Sequence, residues 1–144
     1  QQIPNLHGED ERRRRMKAFT FEQREIKVGE YGCTCFALQG YIDAHTVIEF
    51  DKAVNEAIDG GALRMMLDIQ GLSYISSAGI GAMMALARRL AQRGGDLVLV
   101  SPTPKVHAIL EGLGFTKIFK IAWNEQEALE QLKLVGPNKD DAKP

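Results

Sequence analysis

The chain has 144 residues, 44% hydrophobic and 26% charged, which describes one soluble globular domain with short tails and enough residues for a core without staples. Its 18 basic and 19 acidic side chains nearly cancel to a net charge of −1, which disfavours a general nucleic-acid binder. No apolar run approaches the roughly 20 residues that a bilayer span requires, and no signal peptide is visible, so a cytoplasmic protein with no direct membrane insertion is expected.

Residues 1–17 read as a polar N-terminal tail, either a solvated helix or a disordered segment. Glu9, Asp10 and Glu11 there offset Arg12, Arg13, Arg14 and Arg15, which weakens a nucleic-acid or membrane contact through the arginines. The chain begins Gln1-Gln2-Ile3 without a Met, as a piece of a longer protein would. Phe19 to Val28 reads as an outer strand, and Gly29-Glu30-Tyr31-Gly32 as a hairpin turn. Cys33 to Leu38 is a second strand, ending at Gly40. Cys33 and Cys35 lie two apart on one strand face, so they are poorly placed to bond to each other and read as two buried or half-buried thiols.

Val47, Phe50, Val54 and Ile58 recur at helical spacing until Gly60-Gly61. Leu63 to Ile69 reads as a buried strand. A short loop is expected after it, with a helix starting near Ser76 or Ser77 and carrying Ile80, Met83, Ala87 and Leu90 on one face. Leu97 to Val100 is a further buried strand. Val106, Ile109, Leu110 and Leu113 mark a short helix, Ile118 to Ile121 a last strand, and Ala128, Leu129 and Leu132 a final helix. Residues 136–144 read as a disordered C-terminal tail, which leaves a domain over 18–135. The order ββαβαβαβα predicts an α/β fold, a mixed and mostly parallel sheet covered by helices.

The chemistry-bearing stretch runs from Leu67 to Gly81. A serine at the start of a helix is a natural cap, and free N–H groups with the helix dipole there suit an anion. Small residues around it, Ala78, Gly79 and Gly81, would let another protein's surface approach. The chain has no G-x-G-x-x-G, no phosphate-binding G-x-x-x-x-G-K-[ST], and no G-x-S-x-G around Ser77. His7, His45 and His107 are scattered, so neither a metal site nor a nucleophile with its base is supported. No enzyme activity, cofactor or metal is expected.

Ser76-Ser77-Ala78-Gly79-Ile80-Gly81 resembles the signature loop of STAS domains, the family of the anti-sigma factor antagonists. That loop reads roughly Asp-Ser-Ser-Gly-Leu-Gly between a strand and a helix. Gly40-Tyr41-Ile42-Asp43 is similar to a second family feature, a strand ending in Gly with Asp at the next helix start. Gly94-Gly95 through Ser101-Pro102 is similar to a third. The resemblance spans about 19–134 and implies the STAS fold. It also implies a non-enzymatic protein that binds an anti-sigma factor with serine kinase activity, which holds the ATP. Unphosphorylated protein would release a sigma factor, and phosphorylation of Ser77, reversed by a phosphatase, would switch it off. Ser76 stands where the family has Asp and is a fallback phosphorylation site. Asp43, Asp68, Ser76, Ser77, Ala78, Gly79 and Gly81 are the implied partner contacts. Other branches of the family imply alternatives, a subunit of a lipid or anion transport system, or a scaffold or sensor in a stress-signalling complex.

Overall fold

The computed structural model describes residues 18–133; the two expected tails and the last residues of the expected domain lie outside them. Strand β1 (Phe19–Val28) and β2 (Tyr31–Ile42) form an antiparallel hairpin closed by Gly29 and Glu30. Helix α1 (Val47–Asp59) leads to β3 (Arg64–Ile75), and α2 (Ser77–Gln92) leads to β4 (Asp96–Val100). Helix α3 (Pro104–Gly112), a 3-10 turn (Phe115–Lys117), β5 (Lys120–Ala122) and α4 (Glu125–Leu132) complete the order. The sheet order is β1-β2-β3-β4-β5, with β2 to β5 parallel, as the alternation of elements predicts.

The two faces of the sheet differ. Helices α1, α2 and α3 cover the larger core, where Phe36, Leu38 and Leu67 meet Phe50, Val54, Met83, Leu90 and Leu110. The opposite face is smaller: Cys33, Cys35, Met66, Val98 and Val100 lie beneath Ala128 and Leu132 of α4. Both thiols are free and fully buried.

Strands β2 and β3 run farther than their sequence suggests. Residues 70–75, expected as a loop, continue β3 to Ile75. The reason lies in two irregularities. Ala37 and Gln39 of β2 face Asp68 and Gly71 of β3, and Gly40 and Tyr41 face Leu72 and Tyr74, so β3 carries one extra residue at each place. Each bulge resets the alternation of side chains. Ile69, Leu72 and Ile75, spaced by three, therefore all enter the same core, and a spacing of three hides a strand from a search for period two. Near the C-terminus, Leu113 lies just past α3 and is 60% exposed, and Ile118 precedes β5 and is 61% exposed, so neither is the core residue its pattern predicts.

Candidate functional site

The two longest strands set the site by ending together. Ile42 of β2 pairs with Ile75 of β3, and the carbonyl of Ile42 accepts from Ser76 N at 2.8 Å. The loop after β2 and the start of α2 are thus fastened side by side at the carboxyl end of the parallel strands, where open α/β sheets place their binding surfaces.

Ser76 is the cap of α2. Its backbone is extended, its Oγ accepts from Gly79 N at 3.3 Å, and its carbonyl accepts from Ile80 N at 2.9 Å. Ser77 is the first residue of the helix and is exposed, as is Ala78. The first turn of α2 contains no acidic side chain, so the positive end of the helix dipole is not offset there. Gly81 is also exposed, with open space where a side chain would stand.

Gly79 is placed otherwise than its sequence context suggests. It is buried, and a Cβ on it would lie 2.8 Å from both Ile42 Cγ2 and Ile75 Cγ1. The smallness of this residue seats α2 against the ends of β2 and β3, and leaves the outward surface to Ser77, Ala78 and Gly81.

Asp43 organises the neighbouring loop. Its Oδ1 accepts from the backbone N–H of His45 at 2.8 Å and of Thr46 at 3.0 Å, and its carbonyl accepts from Val47 N at 2.9 Å. The Thr46 hydroxyl accepts from Asp43 N and donates to the carbonyl of Tyr41, each at 2.9 Å. The N–H groups of Thr46 and then His45 hold the Asp43 carboxyl below its ordinary range. Asp43 therefore builds the turn that starts α1 and presents it beside Ser76.

Asp68 is not part of this cluster. It sits mid-strand, opposite Ala37 and Val100, on the side of the sheet that carries Cys35 and Arg24, and its Oδ1 accepts from Gln70 N at 3.1 Å beside the first bulge. The continuation of β3 by six residues, 70–75, carries the helix start away from it.

Three exposed side chains join the cluster without having been singled out in the sequence. Tyr41 and Tyr74 face each other across β2 and β3, and Ile48, in the first turn of α1, is 69% exposed. Ile48 carried a signal, since it falls outside the Val47, Phe50, Val54, Ile58 register. Isolated apolar side chains are common on surfaces, but aromatic residues are enriched among the anchors of protein interfaces. Among the described residues no three His, Cys, Asp or Glu side chains converge as a metal site, and no helix is long and apolar enough to cross a membrane.

The comparisons with known proteins agree with this geometry. Residues 26–128 match the model of the STAS domain. BtrV of Bordetella bronchiseptica, provisionally named an anti-sigma factor antagonist, is 32% identical over 106 residues, covering 74% of this chain and 91% of BtrV. The anti-sigma F factor antagonist of Paenibacillus polymyxa is 30% identical over 105 residues, covering 72% and 90% of the two chains. The fold is similar to that of the anti-sigma factor antagonist SpoIIAA in its unphosphorylated form, with a TM-score of 0.67 at 20% identity over 82% of this chain and 100% of that one. It is likewise similar to the phosphorylated form of the Bacillus protein, with a TM-score of 0.60 at 20% identity over 78% and 98%. On the match over 26–128 and the two relatives aligned over 91% and 90% of their own length, the chain belongs to the STAS domain family.

Proposed function

We propose that this protein is an anti-sigma factor antagonist that binds an anti-sigma factor with serine kinase activity and is switched off by phosphorylation of Ser77. The surface formed by Ser77, Ala78, Gly81 and the Asp43 turn, flanked by Tyr41, Tyr74 and Ile48, is the docking face. The names of the two relatives support the class of partner.

The observation that carries the choice of residue is the division between the two serines. Ser76 is half-buried and its hydroxyl is engaged as the cap, whereas Ser77 is exposed on the first turn. In the switching step the γ-phosphoryl group passes from ATP on the partner to Ser77 Oγ, ADP leaves and the hydroxyl proton is released. The product carries about −1.5 to −2 charges. The start of α2 tolerates that charge, because its free N–H groups and dipole favour an anion. A packed interface that has no cation for it does not, so the modification leaves the fold intact and ejects the partner. No activity of the isolated chain is part of this reading.

Titration against the kinase-type anti-sigma factors of the source organism tests it. Ser77→Ala should bind as wild type does, and Ser77→Glu should bind more than about tenfold more weakly, with both variants folded by circular dichroism. Incubation with ATP followed by mass spectrometry should place phosphate on Ser77. Phosphate on Ser76 alone, or tight binding by Ser77→Glu, would refute the assignment.

A further inference from the structure

Trp123, the single tryptophan of the chain, is 55% exposed although its backbone is held on both sides. Its N–H donates to Glu127 Oε1 at 3.1 Å, and its carbonyl accepts from Ser101 Oγ at 2.9 Å. The N–H of Ser101 donates to the carbonyl of Ala122 at 2.8 Å. Ser101 makes these bonds at φ 55°, and among the described residues it is the only one besides glycines in the left-handed region. A residue with a Cβ adopts that conformation at a cost in energy. The two bonds fasten the end of β5 to the end of β4, so the indole stands in solvent on a rigid support. Tryptophan is among the side chains that most often anchor protein interfaces, and a rigid support lowers the ordering cost of binding.

Trp123 also belongs to a strip that leads back to the docking face. Its ring centre lies 5.2 Å from that of His107, in the first turn of α3. Lys105, two positions earlier, lies on the opposite flank of α3, since successive residues turn by about 100°. Its Nζ is 5.9 Å from the centre of the Tyr74 ring, and Tyr74 is opposite Tyr41. Strand β3 outruns β4: their pairing ends at Asp68 and Val100, and β3 continues to Ile75. The start of α3 bridges that step, facing Tyr74 on one flank and Trp123 on the other. The middle of the strip is positive, because Lys105 is exposed and the first turn of α3 holds no acidic side chain. The nearby carboxylates are engaged, Glu127 with Trp123 N and Glu125 with Arg24.

We propose that the anti-sigma factor partner extends over this strip and buries Trp123 as a second anchor, a reading that rests on the docking face described above. The partner surface that fits is an apolar socket for the indole beside acidic side chains for Lys105 and the start of α3. Continuity favours this occupant, since the strip joins the Ser77 face through Tyr74 without a break. The two ends of the contact then do different work. The Ser77 end carries the switch, whereas the Trp123 end is unaffected by the modification and selects which anti-sigma factor is recognised. A partner lacking the socket would leave the indole in water and its own acidic groups unmatched, which is how an interface discriminates between related proteins.

The test labels the full chain with fluorotryptophan, which places one fluorine on Trp123 and none on the partner. Saturation with the anti-sigma factor that binds the wild-type chain should shift the fluorine resonance and remove its response to exchange of light for heavy water, as burial of the indole does. Trp123→Ala should weaken binding about tenfold or more, with circular dichroism and thermal midpoint unchanged. Lys105→Glu should weaken binding at low salt, and high salt should close the gap. The fluorine readout needs no substitution, so a folding defect in a variant leaves the test standing. A resonance unchanged at saturation, or a folded Trp123→Ala that binds as wild type does, would overturn the proposal. So would a shift that grows with the concentration of the chain alone, which would give the strip to a second copy. Failure of every kinase-type anti-sigma factor of the source organism to bind would remove the docking reading itself, so the two failures are told apart.

Discussion

Two hydroxyls stand side by side at the start of α2 and face different surroundings. Ser76 bonds the Gly79 amide while Ser77 faces out. Ser76→Ala should therefore cost about 1 kcal/mol in chemical denaturation, as the loss of a serine cap does, while Ser77→Ala costs less. Gly79→Ala forces a methyl group against Ile42 and Ile75 and should destabilise by about 1 to 3 kcal/mol, the usual cost of overpacking. Asp43 gives a pH signature. Its carboxyl titrates below its unfolded value of 3.8, so its contribution is present above that value and is lost as pH falls through the folded value. Asp43→Ala should melt below wild type at pH 7, and the gap between the two should close in acid below pH 3.8. The reading of Ser76-Ser77-Ala78-Gly79 as a helix start was legible because serine caps and small residues act locally. The inward role of Gly79 was not, because it depends on Ile42, 37 positions earlier in the chain.

At the scale of elements, nine were legible from apolar periodicity and their order from alternation. What escaped were the lengths of β2 and β3, and in β3 the bulges replace a spacing of two by one of three. Those lengths decide the site: they separate Asp68 from Ser77 and bring Asp43 and Ser76 together. Strand β2 also explains the two thiols. Burial pushes the Cys33 thiol up to about 12, with its neighbour Cys35 adding to the shift, and pushes Cys35 up to about 11. The reactive species is the thiolate, so neither should react at an appreciable rate with a thiol-specific reagent at pH 8 in the native protein. Both should be titrated once denaturant opens the sheet. Fast native labelling would show that α4 leaves the sheet.

Across the whole molecule the sheet carries a thick layer of three helices on one side and a single short helix on the other. The thin side is the weak one, because one eight-residue helix closes it. Leu132 is fully buried there, and Leu132→Ala should cost about 2 to 5 kcal/mol by urea denaturation. The exposed ion pair between Arg24 and Glu125 also ties the hairpin to α4. It sits in solvent, so its removal should change stability by less than about 1 kcal/mol.

Strand order in this sheet follows chain order, from β1 at one edge to β5 at the other. A chain leaving the ribosome can therefore add each strand to a growing edge, with no earlier strand to insert between two others. The three helices of the thick layer are in place once α3 has emerged, but Cys33, Cys35, Met66, Val98 and Val100 stay uncovered until α4 follows. For the time needed to synthesise residues 113–132, a nascent chain would present its two thiols to water. Thiols that are silent in the finished protein thus become a clock for its synthesis, marking the moment at which the last helix docks.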